Sequence, residues 1–461
     1  MGRSKLHWSA DGNQMPIISP HTLAKHQILS EYIEHLILTL YGKVYPRGVE
    51  TFTLIDGFCG GGIYEEEAAQ KKLKGSPILM IEAVRKAFRQ AKKRQSLNVR
   101  YVFVDAGKEH VQCLKNHSMS YWGLENLIDG EKHLTQGEES TLTEQCEFII
   151  GDFEKCSDYC ITIASLRKGH SFFLLDPAGW DDVSVATMRK INDTPGSEIL
   201  YTHMIGQLKR FVIGKYGKNK EKFERTLEGE GYYKKSNLES LDRVGEQMYL
   251  RNETARLFRE KGFSHLNPHK KHLITFALIP RGKTQVLYYL IHMSRHITAL
   301  EVIKERFCES NSLDYQYQYE VYGYGFRTFD ITKSKGQLLL EPSLYEEEYS
   351  TLTINVDREH KDWRLFIKKF DEQIADLIYQ NQDGITFMEI CQKIGQFNPA
   401  SRNMYEQYIN FLRDNGDVEV LNSKGEILTQ KTVRLRRRDV IRVSGRSYFQ
   451  GSLLYSSRFF N

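Results

Sequence analysis

Long apolar runs are missing from this sequence. No stretch of about 18 apolar residues occurs, which excludes a membrane-spanning helix, and residues 1–7 lack the apolar core of a secretory signal. A phosphate-binding glycine-lysine loop is also missing, which argues against a nuclease-like or nucleotide-hydrolysing enzyme that uses Mg²⁺. We therefore expect a cytoplasmic protein with no membrane partner.

Cysteine is scarce, with seven residues in 461. The number is odd and the positions are scattered, mostly in apolar segments, which indicates free buried thiols rather than a disulfide framework. Cys156 and Cys160 could share one helical face, but no His or third Cys stands at ligand spacing, so core packing is the favoured interpretation. No metal site is predicted.

The overall composition is that of a folded soluble chain. Hydrophobic residues make up 40% and charged residues 27%, far from the signature of disorder. The length predicts two domains, or one large domain with an appendage. The net charge of +5 is mild over this length and does not by itself imply a nucleic-acid partner.

Strands and helices alternate along the first half of the chain. An amphipathic helix at 23–41 precedes a β-rich run at 52–58 and the glycines 60–62, and the next helix begins at 75–77 with Ser76 as its N-cap. Further strands are predicted at 99–104, 148–150, 172–175 and 198–205. This alternation requires a parallel, doubly wound sheet.

Two later apolar runs, 272–279 and 285–293, are joined by five residues, which is enough for a hairpin but not for a crossover. Five parallel units closed by an antiparallel hairpin are typical of class I methyltransferases, whereas dehydrogenases usually keep a sixth parallel strand. We therefore predict a Rossmann-like, class I methyltransferase-like α/β domain with a mixed sheet over residues 1–310.

The remaining chain divides into two parts. Residues 311–360 are tyrosine-rich and irregular, and we interpret them as a linker or docking segment. Residues 361–461 contain three predicted helices, at about 362–379, 386–394 and 402–415, followed by two extended pieces. This order predicts a winged-helix-like module, a type that places a helix against nucleic acid.

Four acidic residues end the parallel strands in chain order, at the edge where doubly wound sheets bind ligands. For S-adenosylmethionine, Asp56 would face the ammonium group, Asp105 the ribose hydroxyls and Asp152 the adenine amino group, while glycines let the backbone approach the methionine part. Asp176 lies where the methyl group and its acceptor would meet. The predicted cofactor-binding residues are Asp56, Gly57, Phe58, Gly60, Gly62, Asp105 and Asp152, and the predicted catalytic residues are Asp176, Trp180 and, as base, Lys25 or His26.

Each of these residues also has a purely structural interpretation. Asp105 and Asp152 could cap helices, the glycines could form a flexible loop, and Trp180 could be a partly buried aromatic. The ordered set favours a ligand site, because chance capping would not place an acid at the end of all four strands.

Two departures from known motifs narrow the prediction. Twelve residues separate the glycines from the next helix, so a helix dipole that holds pyrophosphate is not expected, and NAD is disfavoured. The run from Asp176 to Gly179 differs from the Asp-Pro-Pro-aromatic motif of amino-methylating nucleic-acid enzymes, in which backbone carbonyls bind the amine, and Trp180 is displaced by one position.

Basic residues cluster in two regions that could neutralise phosphates. The first follows the fifth strand, with Phe211 and Tyr216 interleaved, and the second lies in or beside the predicted wing. A solvated basic face is the alternative. The residues are Lys209, Arg210, Lys215, Lys218, Lys220 and Lys222 in the first region, and Arg434, Arg436, Arg437, Arg438, Arg442 and Arg446 in the second.

The chain resembles the bacterial three-Cys-motif partner family over about residues 20–305. The resemblance is carried by Lys25-His26-x-Ile28-Leu29-x-x-Tyr32, Leu54-Ile55-Asp56-Gly57-Phe58-Cys59-Gly60-Gly61-Gly62-x-Tyr64, Gly75-Ser76-Pro77 and Asp176-Pro177-Ala178-Gly179-Trp180, with similar late segments at Leu287–Ile291 and Leu300–Lys304. It implies a methyltransferase-like fold and a partner encoded beside a three-Cys-motif protein, itself similar to radical S-adenosylmethionine enzymes. Ala178 and Gly61 replace a usual Phe and Pro.

Two functions follow from these features. The first is a methyltransferase that acts on nucleic acid, DNA or RNA, in which catalysis is mostly alignment of an already activated methyl group. The second is a non-catalytic partner that uses the same fold to bind cofactor or nucleic acid for a companion enzyme. Methyl transfer with turnover, and its loss in Asp176→Ala, separates the two.

Overall fold

The computed structural model describes residues 6–41, 48–66, 71–92, 95–128, 131–135, 140–210, 219–239, 241, 243–264, 270–280, 286, 288–312, 319–323, 370–395 and 400–445. The helices are α1 (Pro20–Leu40), α2 (Ser76–Gln90), α3 (Lys108–Cys113), α4 (Met119–Tyr121), α5 (Phe153–Leu166), α6 (Val185–Asp193), α7 (Ile205–Leu208), α8 (Lys220–Leu227), α9 (Lys235–Glu239), α10 (Arg243–Lys261), α11 (Ile297–Ser312), α12 (Asp376–Gln380), α13 (Phe387–Ile394) and α14 (Arg402–Asp414). The strands are β1 (Thr51–Asp56), β2 (Ile63–Glu66), β3 (Lys71–Lys74), β4 (Leu97–Asp105), β5 (Glu131–Thr135), β6 (Thr141–Ile150), β7 (His170–Leu175), β8 (Ser197–His203), β9 (His272–Pro280), β10 (Tyr288–Ser294), β11 (Tyr319–Gly323), β12 (Ile385–Thr386), β13 (Val418–Leu421) and β14 (Val440–Val443).

The main sheet has the strand order β11-β9-β10-β8-β7-β1-β4-β6-β5. Its five central strands, β8, β7, β1, β4 and β6, are parallel. Strand β10 is antiparallel to both β8 and β9, and β5 is antiparallel to β6. The predicted mixed sheet with an antiparallel hairpin is therefore confirmed, and the second strand of that hairpin lies inside the sheet, between β8 and β9.

Chain direction across the sheet reverses beside β1. The chain moves outward from β1 to β4 and β6, then returns to place β7 on the other side of β1. Because such crossovers are right-handed, the reversal puts the connecting helices on opposite faces and opens a crevice at the carboxyl ends of β1 and β7. Helix α1 packs on α2, and α6 packs on both α5 and α10.

The interior of this sheet is apolar throughout. Phe52, Leu54, Phe103, Phe172 and Ile199 are fully buried on the central strands. Strands covered by helices on both faces need apolar residues at successive positions, which is why these segments read as continuous hydrophobic runs.

Several elements differ from the sequence-based expectation. Strand β6 begins at Thr141, well before the predicted start at 148, and β5 pairs with it. Residues 63–66 and 71–74, expected as loop, form the antiparallel strands β2 and β3. The N-cap of α2 is Gly75 rather than Ser76. Part of the predicted linker, at 319–323, forms β11.

The described residues fall into two compact units. The first comprises those up to Val302 together with Tyr319 and Glu320, and the second comprises those from Ile303 to Ser312 and from Val321 onward. None of the described helices is long and apolar enough to cross a membrane. Six cysteines whose side chains the structure describes are free thiols, and five of them are buried, whereas Cys156 is partly exposed.

The second unit has its own core and a small antiparallel sheet of order β12-β14-β13. Helices α13 and α14 occupy two of the predicted positions, and both begin at hydroxyl N-caps, Thr386 and Ser401. The core contains Phe370, Phe387 and Tyr408, each fully buried. The predicted helix at 362–379 is described only from residue 370 onward.

Candidate functional site

The crevice at the carboxyl ends of β1 and β7 brings two of the predicted acids together. Asp56 is the last residue of β1, and Asp176 directly follows β7. The two carboxylates are close enough for Asp176 to raise the pKa of Asp56. Ligands bind in this crevice in doubly wound sheets, so we take it as the candidate active site.

Lys25 reaches into this crevice from the second turn of α1. Its Nζ donates to both oxygens of Asp176, at 2.7 and 2.5 Å. The side chains are 12% and 27% exposed, so this is a largely buried ion pair that keeps access to solvent. Burial opposes ionisation of Asp176, but the Lys25 ammonium more than offsets it and holds the pKa of Asp176 below its ordinary value, with a further contribution from the Thr202 hydroxyl.

His26 is the second α1 residue at the site. Burial, with the charge of Lys25 nearby, lowers the pKa of His26 to about 4, so its ring is neutral at physiological pH. The backbone carbonyl of Lys74 partly counteracts this lowering. The ring Nδ1 is buried and has no hydrogen-bond partner among the described residues. A pKa this low makes the neutral ring a weak base.

Asp56 is fully buried, and this has a direct electrostatic consequence. Burial raises the pKa of Asp56 to about 7, although the Ser76 hydroxyl and the backbone N–H of Phe58 partly counteract this. Oδ1 accepts from Phe58 N at 3.1 Å. Oδ2 accepts no hydrogen bond that the described residues provide. A cationic ligand group beside Oδ2 would satisfy it and favour the carboxylate.

Trp8 covers the glycine loop at 60–62. A Cβ on Gly61 would lie 2.3 Å from the Trp8 ring, and one on Gly60 would lie 2.9 Å from it. Trp8 is 3% exposed, and its Nε1 donates to the carbonyl of Ile63 at 2.5 Å. Gly60 and Gly62 also have positive φ angles, +56° and +70°, which favour glycine. The space left by the missing side chains at Gly60 and Gly61 is thus filled by Trp8.

The start of α2 lies against the glycine loop, although β2 and β3 separate the two in sequence. The β2–β3 hairpin returns the chain, so Gly75 N donates to Gly62 O at 2.9 Å. A Cβ on Gly75 would lie 2.9 Å from the Gly62 backbone. The twelve-residue separation on which the argument against NAD depends is therefore a separation in sequence and not in space.

Asp152 caps a helix, which was the alternative weighed for it, whereas Asp105 bonds to the glycine loop and to the segment before α3 without capping that helix. Asp105 Oδ2 accepts from Gly60 N at 3.0 Å, and its Oδ1 accepts from Gly107 N at 2.7 Å and contacts His110 Nδ1 at 2.9 Å. Asp152 is the N-cap of α5 and accepts from Glu154 N at 2.9 Å. Asp105 thereby fixes the glycine loop, and each residue keeps part of its accepting capacity for a ligand.

The segment after Asp176 is closed by internal contacts. Trp180 is 3% exposed and packs edge-on against Phe223, so its ring lies in the core rather than at an open surface. The carbonyl of Ala178 accepts from Gln207 Nε2 at 3.0 Å. Gly57 is also explained by packing, because a Cβ there would lie 2.7 Å from Phe153. Trp180 and Ala178 therefore do not form the amine-binding arrangement of the Asp-Pro-Pro-aromatic motif.

A buried polar cluster ties α1 to the opposite end of the strands. Tyr32 Oη donates to Glu198 Oε2 at 2.8 Å, and Glu198 Oε1 contacts His170 Nε2 at 3.1 Å. His292 Nε2 lies 3.3 Å from Glu198 Oε2. Burial opposes ionisation of Glu198, but His170 and His292 lower the pKa of Glu198 to about 2. The cluster anchors the helix that carries Lys25 and His26.

Several of the predicted nucleic-acid residues form ion pairs in the structure. Lys209 pairs with Glu246, and Arg442 pairs with Glu419, its neighbour across the β13–β14 ladder. Lys222 pairs with Asp181, and Lys220 lies 3.6 Å from Glu224. Arg210, Arg434, Arg436 and Arg438 are exposed, and Arg437 is partly buried. Phe211, Lys215, Tyr216, Lys218 and Arg446 lie outside the described residues.

Three residues at this site were not predicted from the sequence. Trp8 lies in an irregular segment with no periodic pattern, Thr202 lies near the end of β8 without a motif, and His110 lies in the first turn of α3. No local signal in the sequence marks any of them. No group of three or more His, Cys, Asp or Glu residues within the described ranges is arranged to hold a metal ion.

Comparison with known proteins does not assign a family. No protein-family model matches the chain, and no curated protein matches it. Among solved structures, a DUF519-family protein from Legionella pneumophila is 9% identical, with 65% of this chain and 96% of that chain covered and a TM-score of 0.33. Trm1 from Pyrococcus horikoshii, in complex with S-adenosyl-L-methionine, is 10% identical over 98% of each chain, with a TM-score of 0.31. Likenesses this weak carry no weight for the function of this chain.

Proposed function

We propose that this chain is an S-adenosylmethionine-dependent methyltransferase of the class I fold that acts on nucleic acid. The observation that carries the proposal is the pair of acids at the switch point, Asp56 and Asp176, with Lys25 drawn across to Asp176. The strand order supports the fold assignment, since five parallel strands closed by an antiparallel hairpin are typical of that class.

The residues present fit this cofactor in part. The buried Oδ2 of Asp56, without a hydrogen-bond partner among the described residues, suits the ammonium of the methionine part. Asp105 would take the ribose hydroxyls with the accepting capacity left after its bonds to the loop, and Asp152 the adenine amino group. Bound there, S-adenosylmethionine would supply a methyl group already activated for transfer to a nucleophile.

The chain's own residues would then align the acceptor and receive its proton. Lys25 holds Asp176 ionised and fixed at the crevice, so that Asp176 can orient an acceptor N–H or O–H. Of the two α1 candidates for the base, His26 is neutral whereas the Lys25 ammonium is committed to Asp176, so His26 is the one that can accept a proton. Alignment of the two reactants would provide most of the acceleration.

The second unit fits the role of a nucleic-acid module. Its α13–α14 pair and three-stranded sheet support the winged-helix-like assignment over 361–461, and its exposed arginines suit phosphates. The resemblance to three-Cys-motif partners adds a radical S-adenosylmethionine-like protein as a proposed partner.

The test is transfer of a tritiated methyl group from S-adenosylmethionine to mixed RNA and DNA. We expect incorporation with the wild type, loss of at least a hundredfold in Asp176→Asn, and wild-type rates in Asp158→Asn, which removes an exposed carboxylate. Incorporation that survives Asp176→Asn would remove this residue from the reaction. Incorporation into protein but not into nucleic acid would show that the methyl acceptor is a protein.

A second candidate, a non-catalytic partner protein, is favoured by one observation. Trp8 fills the glycine loop, and both oxygens of Asp105 already have protein partners, which restricts the room for a cofactor. This candidate predicts no transfer by the wild type and unchanged co-purification of a three-Cys-motif protein with Asp176→Asn. Turnover by the wild type would exclude it.

A further inference from the structure

The connection between β13 and β14 concentrates the positive charge of this chain. Residues 422–439 contain six basic residues and two acids, an excess of four positive charges, whereas all 461 residues together carry a net charge of +5. One of the two acids, Asp439, is 2% exposed, and its Oδ2 accepts from the backbone N–H of Arg436 at 2.7 Å. The charge that this connection presents to solvent is therefore almost entirely positive.

Helix α14 holds this connection in an extended form. Arg413 donates to the carbonyl of Lys431 at 2.6 Å, Asn410 to that of Val433 at 2.8 Å, and Arg402 to that of Leu435 at 2.6 Å. The Asn410 side chain also accepts from Val433 N at 2.9 Å. Every second carbonyl from Lys431 to Leu435 is thus bound by a side chain of α14, so the segment lies along the helix rather than projecting as a free loop.

The same arrangement fixes which side chains face solvent. Val433 is 4% exposed and Leu435 is 1% exposed, and both belong to the core of the second unit. In an extended segment successive side chains point to opposite sides, so Arg434 and Arg436 point outward. Arg438 follows at the turn before β14 and is also exposed. We name Arg434, Arg436 and Arg438 the arginine ridge.

The ridge arginines are not neutralised by neighbouring acids. None of the three lies within ion-pair distance of a carboxylate in the described part of the chain, whereas the nearby Arg442 pairs with Glu419 and Arg402 with Glu406. Arg434 is close enough to Glu406 only to lower the pKa of that carboxyl, which burial raises. Three guanidinium groups held on a fixed backbone are therefore available to an anionic partner.

An open groove continues the surface beside Arg438. It has a volume of about 420 Å³ and is lined by Asp383, Asn422, Ser423, Arg438 and Arg442, among others. A small anion would not need three separate arginines along a ridge, whereas a polyanion with regularly spaced charges would engage them together. Val433 and Leu435 point into the core, so no exposed apolar side chain stands between the ridge arginines, and the exposed Ile427 lies elsewhere in the connection.

We propose that the arginine ridge binds the phosphate backbone of nucleic acid and does so without reading its bases. Guanidinium groups pair with phosphates in a bidentate manner, and such contacts position a protein on nucleic acid without specifying sequence. The inference rests on the proposed function, because it assumes a nucleic-acid substrate. It assigns sequence-independent binding of that substrate to the second unit. Recognition of the methylated position remains with the first unit.

The test uses the full chain and fluorescence anisotropy with a fluorescein-labelled 20-base-pair DNA duplex and an RNA hairpin at several salt concentrations. The variant is Arg434→Gln/Arg436→Gln/Arg438→Gln. The matched control, Lys92→Gln/Lys190→Gln/Lys234→Gln, removes three exposed charges from the first unit. We expect the ridge variant to bind at least tenfold more weakly, with a salt slope lower by about three for the duplex, and the control to stay within twofold of the wild type.

Other outcomes overturn the inference in distinguishable ways. Equal binding by the ridge variant and the wild type would reject the ridge and leave the nucleic-acid function standing. Wild-type binding to phosphatidylserine vesicles but to neither nucleic acid would identify a membrane surface instead. If the wild type binds no nucleic acid, both phosphate binding by the ridge and nucleic acid as the methyl acceptor are rejected. S-adenosylmethionine binding, measured on the same variants, should be unchanged and shows that the first unit is intact.

Discussion

Lys25 and Asp176, 151 positions apart in sequence, form a bidentate ion pair at the switch point of the sheet. The pair joins the helix that precedes the sheet to the strand end at which the acceptor is proposed to lie. It also explains why a largely buried Asp176 stays ionised, since the pKa of Asp176 is held below its ordinary value despite burial.

Removing one member of this pair should destabilise the fold as well as abolish transfer. Asp176→Asn leaves the Lys25 ammonium without a counter-charge, and we expect the free energy of unfolding to fall by about 2 kcal/mol. Lys25→Met should cost a similar amount, and the double variant should cost less than the sum of the two. Urea denaturation measures all three.

The exposed pair Lys190–Asp158 provides the control for this cycle. Its side chains are 57% and 75% exposed, so Asp158→Asn should change stability by less than about 0.5 kcal/mol. Strict additivity of Lys25→Met and Asp176→Asn would show that the two side chains do not interact.

The buried Glu198 cluster predicts a specific acid sensitivity. The pKa of Glu198 in the folded protein is about 2, below its ordinary value of 4.5, so its stabilisation is present above pH 4.5 and is lost as the pH falls through 2. Glu198→Gln should lower the free energy of unfolding at pH 7 by about 3 kcal/mol and flatten its decline between pH 4.5 and 2. Exposed Glu125→Gln should reproduce the wild-type curve. If the unfolding free energy of Glu198→Gln declines between pH 4.5 and 2 as steeply as that of the wild type, the role given to this cluster is refuted.

His203 should limit stability at mildly acidic pH. It is fully buried between Tyr201 and Phe258, and neither ring nitrogen has a hydrogen-bond partner among the described residues. Burial lowers the pKa of His203 to about 3, from 6.5. The unfolded chain therefore binds a proton between pH 6.5 and 3 that the folded protein does not, and stability falls as the pH drops through this range.

The variant His203→Leu removes this difference in proton binding between the folded and the unfolded state. We expect the slope of unfolding free energy against pH to decrease by up to about 1.4 kcal/mol per pH unit below pH 6.5. Exposed His296→Leu should leave the slope unchanged. If both variants keep the wild-type slope, His203 is already protonated or solvated in the folded state.

Local patterns were sufficient to predict the five parallel strands, the antiparallel hairpin and the strand-end acids, but not the outer strands β5 and β11. Strand ends and glycines are properties of short segments, so Asp56, Asp105 and Asp176 could be placed in order without knowing which strands are neighbours. The β2–β3 hairpin was missed because β3 is Lys-Lys-Leu-Lys, in which three of four residues are charged and no apolar alternation appears.

The contacts that define the site could not be read from the sequence. Lys25 meets Asp176 only because the crossover after β6 returns β7 to the side of β1, and Trp8 meets Gly61 only because the segment before α1 folds back over the loop. Arg442 is neutralised by an ion pair, because the register of β13 against β14 places Glu419 opposite it. Each of these depends on tertiary placement rather than on spacing along the chain.

The most direct test of the methyltransferase account is calorimetric titration with S-adenosylmethionine at pH 8, above the pKa of about 7 of Asp56. We predict binding by the wild type, an affinity that declines from pH 8 to pH 6 as the Asp56 carboxyl is protonated, and a loss of more than tenfold, about 1.4 kcal/mol, in Asp56→Asn. Exposed Glu125→Gln should bind like the wild type. Absence of binding by the wild type at pH 8, or equal affinity in Asp56→Asn, would contradict the account.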